Sequence, residues 1–197
     1  MYKRLGTMGF LVILALMVSA IQSEIQPFYT LDKDRNLNRP KPDLYRKWEV
    51  VGAGAVPNDL NRNRAIFPGV HLVYIDPVAF NHRRESGFFP DGTVIIMENY
   101  HQKRREGVSG IGYFESGERD LLVSVKDRRV FPGSGWSYYL FSDKEIREGV
   151  LAKPPSPKSD CQACHLTHAS DDEVFVDFYP QLKRKADANT KKVNASE

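Results

Sequence analysis

Cysteine is nearly absent. The 197 residues hold two, too few for a disulfide-built scaffold or for any four-thiolate zinc or iron–sulfur site. Neither sign of charge dominates, with 28 Lys+Arg against 25 Asp+Glu, so electrostatics make no case for nucleic acid as a partner. Long hydrophobic runs are missing except near the start. There residues 8–18 read MGFLVILALMV, short of the ~20 residues that a membrane-crossing helix requires. What remains is 41% hydrophobic and 27% charged, the composition of a globular chain and not of a disordered or polytopic one.

That single run has a positive start, Lys3 and Arg4, and a small-residue exit, Val18-Ser19-Ala20. Together these read as a cleaved secretory signal over residues 1–20, a retained N-terminal anchor being the weaker alternative. The folded part is therefore expected outside the cytoplasm, in the periplasm. Removing residues 1–20 leaves 26 basic against 25 acidic residues. Residues 21–43 are polar and carry three prolines, which reads as an N-terminal surface arm. Residues 44–183 form the expected domain, and 184–197 read as a flexible tail with almost no apolar side chain.

Within that domain, residues 47–51, 70–75, 93–99, 110–114, 121–126, 136–141 and 173–179 are short runs rich in β-branched and aromatic types. This favours strands. Phe-Pro steps with glycine close behind (67–69, 89–92, 131–133) supply turn chemistry. Asp76 followed by Pro77 opens a helix that Gly87 stops, and Ser142 or Asp143 caps a second one over 144–152. The expectation is one α+β domain, mainly antiparallel sheet with a few short helices.

The chemistry sits near the C-terminus. Cys161-Gln162-Ala163-Cys164-His165 is C-x-x-C-H, the attachment sequence for c-type haem. Two thiols three residues apart on a helical turn each form a thioether to a haem vinyl group, and the next histidine projects under the iron as proximal ligand. A dithiol redox pair is the first alternative, but such pairs open a helix after a strand, and this one follows Pro154-Pro155-Ser156-Pro157. Zinc is the second, and needs two further ligands. The reading is one covalent haem c on Cys161, Cys164 and His165, with His165 on the metal.

The sixth iron position is less defined. Without the signal, Met97 is the only methionine, and core packing is its simpler role. His71, His82 and His101 are the other candidates, while His168 lies too close to His165 on one short helix to reach the opposite haem face. None is compelling, which favours an open distal position and small-ligand chemistry over electron relay.

With the haem motif placed, the run 161–182, CQACHLTHASDDEVFVDFYPQL, resembles the end of the cytochrome P460 family. Tyr45-Arg46-x-Trp48 with Val51-Gly52, Val73-Tyr74-Ile75-Asp76-Pro77, and Phe89-x-Asp91-Gly92-Thr93-Val94 with Glu98 match as well. So do Ser124-Val125-Lys126-Asp127, Phe131-Pro132 and Gly135-Trp136. The resemblance covers about residues 42–183. It implies a mainly antiparallel β fold, often a homodimer, with a five-coordinate c-type haem. Members are either cytochromes P460, which oxidise hydroxylamine, or cytochromes c′-β, which bind nitric oxide and similar diatomics. In the P460 branch a lysine of the helix before the F-x-D-G-T turn cross-links to the macrocycle. Here that helix reads FNHRRES over 80–86, and arginine, always protonated, does not substitute.

The resemblance also makes Phe88 and Phe89 candidates for capping the distal pocket. Arg83, Arg84, Lys103, Arg104 and Arg105 are a candidate docking patch for a redox partner protein, with a solvated basic face as the plainer reading. The leading expectation is thus an extracytoplasmic mono-haem protein binding or converting a diatomic or hydroxylamine-type ligand. A hydroxylamine-oxidising enzyme and a six-coordinate electron carrier are the alternatives.

Overall fold

The β-branched and aromatic runs pair edge to edge in a five-stranded antiparallel sheet. A computed structural model describes residues 27–156 and 160–184. The expected signal segment and, from residue 185 onward, the expected tail lie outside the described residues. The elements in chain order are β1 (Leu37–Asn38), α1 (Pro42–Tyr45), β2 (Glu49–Val56), β3 (Gly69–Ile75), α2 (Pro77–Ser86), β4 (Thr93–Gly107) and β5 (Gly110–Lys126). Then come β6 (Trp136–Phe141), α3 (Asp143–Arg147), β7 (Ala152–Lys153) and α4 (Cys161–His168), followed by 3₁₀ turns at Val176–Phe178 and Pro180–Leu182. The sheet order β2-β3-β4-β5-β6 follows the chain, and β1 pairs β7 separately. The α+β expectation, mostly antiparallel sheet with few short helices, holds.

Side chains alternate across a strand, so register decides which residues share a face. Ile75, Ile95, Ser124 and Tyr138 lie in one cross-strand row, and Val73, Met97, Leu122 and Leu140 in the next. This face packs against α2, α4 and the C-terminal turns, burying Ala79, Phe89, Trp136, Val174, Val176 and Leu182. The opposite face buries Tyr74, Val94, Ile96, Val123, Val125, Tyr139 and Phe141 against Tyr45 and Trp48. Each fully buried large apolar side chain contributes about 1.5–3 kcal/mol, so both faces are needed to hold the sheet.

α2 forms as its local signals dictate. The Asp76 carboxylate accepts from the Ala79 amide at 2.8 Å, Pro77 occupies the first turn, and Gly87 closes the helix at φ 88°. The same carboxylate accepts from the Val94 amide at 2.8 Å, pinning the helix start to β4. In α3, Ser142 is the cap, with a reciprocal bond to Glu145, and the helix ends at Arg147, short of residue 152.

Three expectations need correction. Residues 173–179 do not pair as a strand: they make a bridge between Asp171 and Val174 and then a 3₁₀ turn. Their aromatic and β-branched side chains met the propensity test, but Asp172 (φ 49°) and Glu173 (φ 57°) turn the backbone away from any neighbouring strand. The proposed arm is not simply a surface segment. Leu37 is fully buried, and the Tyr29 hydroxyl donates to Asp127 at 2.5 Å. Finally, 110–114 and 121–126 are parts of one strand, β5, whose ladder with β4 is interrupted by a bulge between Tyr100 and Gln102.

Candidate functional site

On α4, Cys161, Cys164, His165 and His168 stand at i, i+3, i+4 and i+7 and so share a face. The two cysteines are free thiols, each partly buried, and Cys161 packs against the core on the α2 side of the sheet. The His165 ring lies 4.4 Å from the Tyr138 ring and 4.9 Å from that of Phe175, centroid to centroid. Its Nδ1 is 2.7 Å from the carbonyl oxygen of Glu173. A carbonyl only accepts, so Nδ1 carries the proton and Nε2 keeps its lone pair. Burial pushes the imidazole pKa down, against a smaller upward pull from the Glu173 carbonyl. The ring is thereby held neutral, with one nitrogen prepared to bind a metal.

The carbonyl that does this belongs to a turn of three acids, each tied to a different part of the fold. Asp171 accepts from Arg83 of α2 at 2.5 Å. Asp172 accepts from Lys126 of β5 at 2.5 Å and from the Trp136 indole of β6 at 3.2 Å. Glu173 accepts from the Tyr138 hydroxyl at 2.9 Å. Burial, then the charge and hydrogen bond of Glu173, hold the Tyr138 phenol far above its usual pKa, so it stays a donor. Asp172 and Glu173 both sit in the left-handed region, which costs of order 1–3 kcal/mol per non-glycine residue and persists only where surroundings over-determine it. Lys126 and Trp136 are only 8% and 3% exposed, so these ties are made largely away from water. The Tyr179 ring packs on β2 over Gly52, where a Cβ would lie 2.3 Å from a ring carbon.

The remaining candidates fall elsewhere. Nε2 of His71 is 2.8 Å from the Phe67 carbonyl. His101 is bracketed by Asp120 at 2.8 Å and Glu118 at 3.5 Å, and Nδ1 of His82 lies 3.1 Å from the Phe88 carbonyl. Met97 is partly buried in the row between Val73 and Leu122. His168 is exposed on α4. Phe89 is buried, its ring 6.0 Å from that of Trp136 and 4.8 Å beneath the Arg83 guanidinium. Phe88 is exposed and meets His82 at 4.9 Å. Two cavities are of note. One of about 570 Å³ lies around His101, between the 58–68 loop and the β4–β5 hairpin, and does not include the α4 motif. The other, about 380 Å³, runs beside α4 along Gln162, Ala163 and Leu166.

The basic patch divides. Lys103, Arg104 and Arg105 are exposed on the hairpin, whereas Arg83 is 4% exposed and spends its guanidinium on Leu182, Gly87 and Asp171. Sequence reading missed the acid turn, Lys126 and the role of Tyr138. The run DDE between the motif and V-F was the available signal, but it is indistinguishable from a solvated loop.

The donor set fits an iron porphyrin: two free thiols and a neutral imidazole on one helical face, with the imidazole's second nitrogen anchored. No group of three His, Cys, Asp or Glu side chains gathers as a metal-ion site among the described residues. A family model described as Cytochrome P460 matches residues 42–176. No curated protein matches the chain.

Proposed function

The chain belongs to the cytochrome P460 family of c-type haem cytochromes, and on that premise we propose that it is an extracytoplasmic mono-haem protein whose iron keeps an open distal position for a small nitrogen-oxide ligand. The observation that carries this reading is the state of His165 beside the two thiols of C-x-x-C-H. His165 has its Nδ1 committed to the Glu173 carbonyl and its Nε2 prepared for iron. Among the candidates for the opposite face, His101 has both ring nitrogens engaged, by Asp120 and Glu118, while His71 and His82 are each held through one ring nitrogen by the Phe67 and Phe88 carbonyls, and Met97 packs in the sheet row between Val73 and Leu122. For His101, ligating iron would cost one of those contacts and leave a carboxylate short of a donor.

When bound, haem supplies an iron with two oxidation states and an exchangeable axial position. Cys161 and Cys164 would hold it by thioethers and His165 would bind its iron through Nε2, while the Tyr138 and Phe175 rings flank the imidazole and fix its plane. Residues 80–86 offer no lysine for a cross-link. Arg83, the central cation of that helix, is committed to Asp171 and two carbonyls, which favours ligand binding over hydroxylamine oxidation. The positive start and short apolar run support export to the periplasm. A redox partner would meet the exposed Lys103–Arg105 stretch, and self-association belongs to this reading through the family resemblance.

Denaturing electrophoresis with haem staining tests the attachment. The mature protein is expected to keep its stain, and the Cys161→Ala/Cys164→Ala double variant to lose it completely. Loss of stain from the wild type removes the reading.

A further inference from the structure

We propose that Asp172 is a positioning residue for the iron's proximal bond: held by Lys126 and Trp136, it aims the Glu173 carbonyl at His165. This rests on the haem reading above. The direction of the Glu173 carbonyl follows from the course of the backbone that leads into it, and Asp172 and Glu173 both hold positive φ without being glycine. Side chains must therefore keep the turn in place. The three acids are not equal in this. Asp171 is bonded through one oxygen and is 48% exposed. Glu173 is bonded through Oε2, while Oε1 is buried without a partner. Asp172 uses both oxygens, Oδ2 for Lys126 and Oδ1 for Trp136.

Those two donors are register partners on adjacent strands, and the Lys126 ammonium lies 5.7 Å over the Trp136 ring. The clamp therefore belongs to the rigid sheet and not to the turn. Strand β6 then does two things at once. Trp136 fixes the turn that supplies the carbonyl, and Tyr138, two residues on and on the same face, packs at a tilt of 40° against the imidazole that donates to it. A hydrogen bond at Nδ1 raises the basicity of the ligating nitrogen, so sheet geometry would reach the iron through the turn and the imidazole.

The test compares holoproteins in which haem attachment has first been confirmed. Asp172→Asn suits the backbone, since asparagine tolerates left-handed angles, but has one acceptor oxygen where two are needed. Its ferrous iron–histidine stretching band is expected to move to lower frequency and broaden in resonance Raman. Outer-sphere partners of metal ligands are worth about 10–100-fold. A tenfold loss of preference for the ferric state reads as a reduction potential about 59 mV higher. Lys126→Met is expected to move both in the same direction and Lys126→Arg to restore them, which keeps the test in force if Asp172→Asn fails to fold. Asp127→Asn, at a buried carboxylate bonded to Tyr29 and Arg129, is expected to lower stability with the band unmoved. A wild-type band and potential in both Asp172→Asn and Lys126→Met, with haem attached, overturns the proposal. Absence of attached haem in the wild type overturns the haem reading itself, and this proposal with it.

Discussion

Glu98 and Glu173 lie on opposite sides of one sheet, both buried, and the fold handles them differently. Glu98 has no exposed surface, and five hydrogen bonds converge on it: from Tyr45 at 2.7 Å, Arg46 at 2.7 and 3.1 Å, Tyr74 at 3.3 Å and Tyr100 at 2.7 Å. Burial alone would pull its pKa up, but the bonds from Arg46, Tyr100 and Tyr45 outweigh this and hold it below the ordinary value. Glu173 accepts one bond from Tyr138, leaves its other oxygen without a partner, and stands on a left-handed backbone. A saturated carboxylate holds elements together, here the 45–46 segment and the β3–β4 pair. The sparingly satisfied one sits where the backbone has been bent to present a carbonyl to a ligand. Stability has been concentrated on one face and positional constraint on the other.

Glu98→Ala is the sharpest way to break the comparison. It strips a buried acceptor from three phenols and a guanidinium, and the expected loss is on the order of 3 kcal/mol in urea unfolding. The visible spectrum of the folded holoprotein should stay as in the wild type. A spectral change would mean that the two faces are not independent. Glu173→Gln is expected to cost less, about 1 kcal/mol, because glutamine still accepts from Tyr138 and the carbonyl that meets His165 is untouched. A loss as large as that of Glu98→Ala would contradict the contrast.

The smallest effect is in pH. Since the folded pKa of Glu98 is depressed, its contribution is fully present above the ordinary glutamate value of about 4.3 and is lost as pH falls through the lower folded value. The stability gap between wild type and Glu98→Gln should therefore narrow in unfolding series taken from neutral pH downward through that window. A gap that stays constant or widens in acid would show that the carboxylate charge is not what the arginine and tyrosines stabilise.

Legibility in the sequence follows the range of the interaction. Helix α2 could be read to its ends because Asp76, Pro77 and Gly87 act on their own neighbours. C-x-x-C-H could be read because thioether and imidazole chemistry need only one helical turn. The Glu173 carbonyl could not, since every residue has a carbonyl and its direction is set through Asp172, whose partners Lys126 and Trp136 lie 46 and 36 residues before it. Residues 173–179 look like a strand for the same reason: propensity registers side chains that pack, and Val174 and Val176 do pack, but without a partner strand. Arg83 shows the converse. Its charge suggested the surface, and only the fold brings Leu182 and Asp171 to it.

The central claim is an imidazole-bound iron with a free distal side, and optical absorption of the reduced holoprotein before and after carbon monoxide tests it most directly. The account predicts a high-spin ferrous spectrum that carbon monoxide converts at once to a six-coordinate one. Sharp low-spin α and β bands before any gas is added, lost in the Met97→Ala or His71→Ala variant, would show a protein ligand on the distal side and contradict it.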